Sequence, residues 1–456
     1  MRAISGFLIF LAATASLSPA IASDIPIIDK APAWAVPTRF DSATRPGTPE
    51  QPSASTLDRQ IRIEGPTTTV YVESVTKLSS PEIVTSFGNL QLLWHPDKGD
   101  LHVHAVELIR DGKTVDILAS GQKFSVLRRE ANLERSMING LLTAALQIPG
   151  IQVGDQLRFT YSVTATDPAQ GGHVNGFMPL NLLSNSTAQS RIRLIWPTSQ
   201  PIKWQINGVG PDPKITTARG WTELVVAGPL ATPPKIPGNA PPRFNIPASL
   251  EYSDFGSWEA VSAATAPLYD PKDSAQTNPE LAAEISRIKA LSPDPKVRTA
   301  AALRLVQDKV RYLFNGLALG NYVPVSPAET WRLRFGDCKA KTILLIALLH
   351  ELGIDAEPAM VSATHREGTK DRLPGYQAFD HVIVKARIDG TIYWLDGTSN
   401  GDRIEDLGVV PNFGIALPVM AKGSALEVLT ATAPLRPQLE TTLAIDAKAG
   451  LAFPAS

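Results

Sequence analysis

The chain has 456 residues, 43% of them hydrophobic, with a formal net charge of −1 and one cysteine. So even a charge balance argues against nucleic acid or an anionic membrane surface as the main partner. A lone cysteine excludes any disulfide within the chain, so stability has to come from packing, and the length has material for two or three domains.

Residues 1–22 read as a signal peptide. Arg2 supplies a positive end, residues 7–17 an apolar stretch, and Ala20-Ile21-Ala22 the small-x-small pattern of a cleavage site. A membrane-spanning helix needs about 20 predominantly apolar residues, whereas this run is broken by Ser16 and Ser18 and meets Pro19. No later segment is apolar enough to span a bilayer. The expectation is a periplasmic or secreted protein without a transmembrane segment after cleavage. Residues 23–56 hold many Pro, Ser and Thr with little periodicity, which predicts a loosely ordered arm.

From 57 to 228 the pattern is that of strands. "TTVYVESV", "LHVHAVELI", "QLRFTYSVTA" and "SRIRLIWP" alternate apolar and polar residues, with turns such as Asp111-Gly112 and Val153-Gly154-Asp155 between them. This predicts an antiparallel all-β domain, a sandwich or barrel, with the sandwich expected. Residues 229–254 follow as a Pro-rich linker. Seven prolines fall in "GPLATPPKIPGNAPPRFNIP", and proline can neither donate to a ladder nor continue a helix. Tyr252, Phe255 and Trp258, after the last of those prolines, read as an anchor to the next domain.

Residues 255–425 change to helices and then strands, an α+β domain with an antiparallel sheet. "NPELAAEISRIKALS" has helical spacing, and "DPKVRTAAALRLVQDKVRYLF" opens with Asp294 as N-cap and Pro295 at the first helical position. Ser326-Pro327-Ala328-Glu329 has the capping-box pattern. A helix from Cys338 to Leu352 stops at Gly353. Two strands, "FDHVIVKARI" and "TIYWLD", flank Asp389-Gly390. Residues 426–456 predict a short β segment whose brevity leaves a sheet edge uncovered.

The cysteine lies in "RLRFGDCKAKTILLIALLHELG". In an oxidising compartment a leftover cysteine is an inert core residue, an intermolecular bridge or a reactive thiol. Asp337 can cap the helix, which places Cys338 at its first position. Residues 343–349 are apolar on every side, so the helix should be buried. Its N-terminus, with unpaired N–H groups, partial positive charge and Lys339 and Lys341 nearby, favours a nucleophilic thiolate and could hold an oxyanion.

A thiolate forming acyl intermediates needs a histidine base with an orienting partner. His350 sits three turns along the same helix, and His365 lies in a polar loop. His381 precedes the Asp389-Gly390 turn, the strongest short hairpin signal. That turn puts His381 opposite Thr398 and Asp396 opposite Ile383, so His381 and Asp396 share a face as diagonal neighbours about 7–8 Å apart in backbone. Asp380 points to the other face, and Asp402 lies past Gly397 and Gly401, where register is lost. An ordinary surface pairing of the strand histidine with Asp396 is the structural alternative.

Together, "RFGDCKAKTILLIALLHELGIDA" and "FDHVIVKARIDGTIYWLDGTS" resemble the Cys, His and Asp blocks of the bacterial transglutaminase-like superfamily, a branch of the papain-like cysteine hydrolase fold. Residues 57–228, with "LLTAALQIPGIQVGDQLRFTYSV", resemble the β-rich domain of unknown function that commonly precedes that domain in bacterial envelope proteins. The resemblance implies Cys338 as nucleophile, His381 as general base and acid, and Asp396 as its orienter. It implies oxyanion donors at the Cys338 backbone N–H and one upstream side chain, Tyr322 or Trp331, both of which also read as core packing. Relatives usually read Gly-Asp-Cys-Lys-Asp-Lys, where this chain has Ala340 in place of the second Asp, and many continue into a further C-terminal β-region.

Two readings of function stay open. One is a cysteine acyl-transfer enzyme that hydrolyses or transamidates an amide or peptide bond of a peptide or protein substrate in the cell envelope, without metal or other cofactor. The other is a non-catalytic binding or scaffold module on the same fold. A metal site at His102 and His104, with His95 nearby, is the weakest reading, because alternating histidines on a strand are usually surface. "SATHREGTKDRLPGYQ", residues 362–377, reads as a mobile lid.

Overall fold

A computed structural model describes residues 23–38, 55–128, 140–180, 187–228, 247–271, 278–313 and 321–433, with short pieces between 230 and 244 and at 441–443. The structure is multidomain: a large β-rich part is followed by helices packed on a five-stranded sheet.

Period-2 patterning builds the first part. In the strand Ser55–Glu64, Ile61 and Ile63 enter an apolar core while Asp58 and Gln60 face the opposite side. This strand lies inside a nine-stranded sheet. Its path runs Ile27–Ile28, Leu101–Arg110, Gln156–Thr166, Thr67–Lys77, Ser55–Glu64, Thr187–Pro197, Trp221–Gly228 and Lys214–Ala218, with Lys113–Asp116 paired to Leu101–Arg110. Two three-stranded sheets cover one face. Asn175–Pro179, Ser249–Ser253 and Lys203–Asn207 pack Met178 and Leu250 onto Ile61, Ile192 and Leu194. Asn89–Trp94, Leu142–Gln147 and Ser125–Arg128 pack Leu92, Trp94 and Leu146 onto Val103, Val106 and Leu157. One sheet thus serves two sandwich cores. The pairing is not wholly antiparallel, since Thr187–Pro197 runs parallel to Ser55–Glu64 and Ile27–Ile28 parallel to Leu101–Arg110.

Two stretches differ from the sequence expectation. The arm is fixed on the sheet over residues 23–38. Val36 N–H donates to Gln60 Oε1 at 3.0 Å, and Gln60 Nε2 donates to Val36 O at 2.7 Å. Arg193 donates to Trp34 O at 3.1 Å, and Thr38 N–H donates to Glu73 Oε2 at 3.2 Å. These contacts use the arm's main chain, so apolar periodicity carries no trace of them. The second difference is the end of the Pro-rich stretch, where Ser249–Ser253 forms a wholly buried strand between Asn175–Pro179 and Lys203–Asn207. Tyr252 belongs to the β core, whereas Phe255 and Trp258 pack in the following part. The proposed leader at 1–22 and most of 229–246 lie outside the described residues. Among the described residues no helix is long and apolar enough to cross a membrane.

In the second part, side-chain caps start the helices. Asn278 accepts from the Glu280 and Leu281 N–H groups at the head of Pro279–Leu291. Asp294 accepts from Lys296 N–H at 2.8 Å ahead of Pro295–Lys309, and Ser326 from Glu329 N–H at 3.3 Å ahead of Pro327–Leu333. The sheet order is Thr391–Leu395, His381–Ile388, Asp355–Val361, Ile415–Pro418, Glu427–Val428, antiparallel throughout. The helix Cys338–Glu351 lies against this sheet, and residues 338–349 are all buried. Leu344, Leu345, Leu348 and Leu349 join Val384, Ala386 and Leu395 in one core. At about 1.5–3 kcal/mol for each fully buried leucine, this packing fixes the helix on the sheet. Of the C-terminal β segment, 434–440 and 444–456 lie outside the described residues.

Candidate active site

The first turn of Cys338–Glu351 organises the site. Asp337 Oδ1 accepts from Ala340 N–H at 3.1 Å, and its other oxygen pairs with the buried Lys339 ammonium. Gly336 is packed tightly here: a Cβ on it would stand 2.8 Å from the Ala340 Cβ. Lys341 donates to Val310 O at 2.7 Å. Burial pushes its ammonium down to about 8, against the opposing pull of Asp396 and Asp308. Cys338 has no solvent exposure and shares a cluster with Tyr269, Tyr322, Met360, Tyr376 and Phe379.

The hairpin supplies the other two groups. Asp389 and Gly390 have φ of 50° and 79°, the left-handed pair that a tight two-residue turn requires. The ladder runs from Ile388 opposite Thr391 to Val384 opposite Leu395, the register the turn implies. His381 opens its strand, and Asp396 lies just past the end of its own. Their side chains close the remaining gap, with His381 Nε2 2.9 Å from Asp396 Oδ2. Asp396 Oδ1 takes the Thr398 N–H at 2.8 Å and the Thr398 hydroxyl at 2.7 Å.

The electrostatics follow from that geometry. Burial by itself would push the His381 imidazolium down. Hydrogen bonds to Asp396 and Cys338, and the charges of both, outweigh burial and raise it to about 10. With Nε2 on Asp396, Nδ1 is the ring nitrogen left for the Cys338 sulfur. Burial would raise Asp396, but the bond to His381, its charge and the Thr398 donors hold the carboxyl below its ordinary value. Cys338, His381 and Asp396 are therefore brought together.

The other expected residues are placed variously. Tyr322 shares the Cys338 cluster, packs 4.6 Å from Tyr376 and lies beneath Lys98 of the β-rich part. Trp331 belongs to a different core, with the Arg334 guanidinium 3.6 Å over its ring. Its buried Nε1 has no partner among the described residues. Asp380 is turned away, accepting from Ala363 and Thr364 N–H at 2.7 and 3.1 Å. Asp402 accepts from Gln307, which also donates to Asp396 O at 3.0 Å.

Sequence reasoning missed Tyr269 and Tyr312. Burial, then the charges of Cys338 and Asp337, push both phenols up. Neither lies in a periodic pattern that leads to the cysteine. Residues 362–377 are docked rather than free. Buried Arg372 pairs with buried Glu251 of the β-rich part, and Gln205 and Ser253 donate to the carbonyls of Asp371 and Pro374 at 2.8 and 2.5 Å. Just beyond the two contacts, Tyr376 donates to Ala169 O at 3.2 Å. His102 and His104 both contact Asp29, at 2.8 and 3.0 Å. Among the described residues no group of three or more His, Cys, Asp or Glu has the geometry of a metal site.

Residues 66–228 match a domain of unknown function for which structures have been solved, DUF3857. No curated protein matches the chain. A Parabacteroides distasonis protein of known structure, described as a "putative protease", is similar at a TM-score of 0.62 and 15% identity, covering 82% of this chain and 70% of that one. A "putative cysteine protease" from Cytophaga hutchinsonii has a TM-score of 0.25 at 15% identity, covering 54% of this chain and 82% of that one. An M1 zinc metallopeptidase from Deinococcus radiodurans has a TM-score of 0.23 at 11% identity, covering 45% and 43%. Likenesses as slight as the last two carry no argument, whereas the first shows a shared fold across most of the chain.

Proposed function

We propose that the protein is an exported cysteine acyl-transfer enzyme, built on a transglutaminase-like variant of the papain-like fold, which hydrolyses amide or peptide bonds in the cell envelope. One observation carries the reading: the buried His381 imidazole lies 2.9 Å from Asp396, and Cys338 stands close enough to help that carboxylate raise the imidazolium. Fold-level likeness to a protein described as a protease is consistent with it, but the chemistry rests on the residues.

In this reading the Cys338 thiolate attacks the carbonyl carbon and forms a C–S bond, and the carbonyl electron pair moves to oxygen. The Cys338 backbone N–H at the helix start donates to that charge. The intermediate collapses, the C–N bond breaks, and protonated His381 gives its proton to the departing amine. Water then attacks the thioester while His381 takes its proton, and a carboxylate leaves Cys338 free. A second amine in place of water would give transamidation. Water is the default acceptor. Because His381 must carry a proton to release the amine, the rate should hold through neutral pH and fall only near pH 10.

A scaffold reading is favoured by one observation, the complete burial of Cys338. Profiling wild type and Cys338→Ala against amide and peptide libraries separates the two. Cleavage present only in wild type supports the enzyme, and identical profiles with no cleavage support the scaffold.

A further inference from the structure

Tyr269 follows the helix Trp258–Thr265 and the 3₁₀ turn Ala266–Leu268. This brings its ring into the cluster that contains Cys338. The residue is 4% exposed, and its hydroxyl is buried without a hydrogen-bond partner among the described residues. A buried hydroxyl left unpaired is costly, and in native structures such groups call for a reason. The neighbouring Tyr376 shows the usual solution, its hydroxyl being committed to Ala169 O.

We propose that the Tyr269 hydroxyl is a donor to the tetrahedral oxyanion formed when Cys338 attacks an amide or ester carbonyl, acting beside the first-turn N–H groups of the Cys338–Glu351 helix. This rests on the acyl-transfer reading above. The partner missing in the resting structure is then the negative oxygen that exists only during reaction, which is where stabilisation raises the rate rather than substrate affinity. Burial, then the charges of Cys338, Asp337 and Tyr376, holds the phenol well above its ordinary value. It therefore keeps its proton and serves as a donor.

The test uses the full chain and Tyr269→Phe, with three readouts: thermal unfolding, acylation of Cys338 by p-nitrophenyl acetate, and alkylation of Cys338 by iodoacetamide. Alkylation forms no oxyanion. The expected result is an unfolding temperature equal to or above wild type, alkylation within about twofold, and acylation slower by about 10²–10³-fold. Acylation at the wild-type rate overturns the proposal. So does parallel slowing of both reactions, which would place the hydroxyl on the sulfur, and so does a clear loss of stability, which would mean the hydroxyl was bonded. If wild type is acylated no faster than Cys338→Ala, the acyl-transfer reading itself falls.

Discussion

Histidine–aspartate contacts of similar length sit in very different settings in the two parts of the molecule. In the β-rich part, Asp29 touches His102 and His104, yet its side chain is 42% exposed, and burial pushes His104 below its ordinary value. In the second part, Asp396 is 11% exposed, is tied down by Thr398, and raises His381 to about 10. The distances hardly differ, so distance is not what sets the direction in which the imidazole shifts. A carboxylate open to water is screened, and it loses to the desolvation of the imidazole beside it. A carboxylate that is itself buried and held ionised by donors wins, most of all with a sulfur as the second neighbour.

The largest expected effect removes the reacting groups. Cys338→Ala or His381→Ala should lower turnover by about 10⁴-fold or more, measured on whichever substrate the libraries yield. Asp396→Asn should cost about 10²–10⁴-fold in kcat, as a misoriented base does. Asp29→Asn should leave kcat within about twofold, and an equal loss in both variants would erase the contrast between the two pairs.

Stability should separate them as well. The His381 pKa is raised, so its contribution is fully present below about 6.5 and is lost as pH rises through about 10. The Asp396 pKa is lowered, so its contribution is present above the ordinary carboxyl range and is lost as pH falls through the lowered value. Breaking a buried pair costs about 3–5 kcal/mol. Unfolding curves of Asp396→Asn should therefore fall furthest below wild type near pH 5–6 and converge with it towards pH 10. Lys341 works in the opposite sense. Its folded value is depressed to about 8, so the unfolded chain binds the extra proton between about 8 and 10.5 and stability rises with pH there. Lys341→Met should abolish that rise, as titrated by chemical denaturation. The smallest effect is Asp29→Asn on stability, within about 1 kcal/mol for an exposed pair.

How much of this was legible depended on the range of the interaction. The hairpin was readable because Asp389-Gly390 fixes both turn geometry and register, and register fixes which side chains share a face. The helix start was readable because Asp337 and the apolar run after Cys338 are local signals. Tyr269 was not, because only tertiary packing joins the end of a helix to a cysteine far along the chain. The arm escaped because side chains such as Gln60 and Arg193 grip its main chain, and main-chain groups look alike in every sequence. Ser249–Ser253 escaped because the prolines before it mask a strand whose partners lie elsewhere in the chain.

The most direct measurement is the rate at which a small haloacetamide alkylates Cys338 at neutral pH in wild type and in His381→Ala, followed by intact mass. If a buried imidazolium bridges sulfur and carboxylate, wild type reacts much faster than an unassisted cysteine and the histidine variant loses that advantage. Equal rates in the two proteins, no faster than a free cysteine, would leave a fold with a thiol in its core and no acyl-transfer centre.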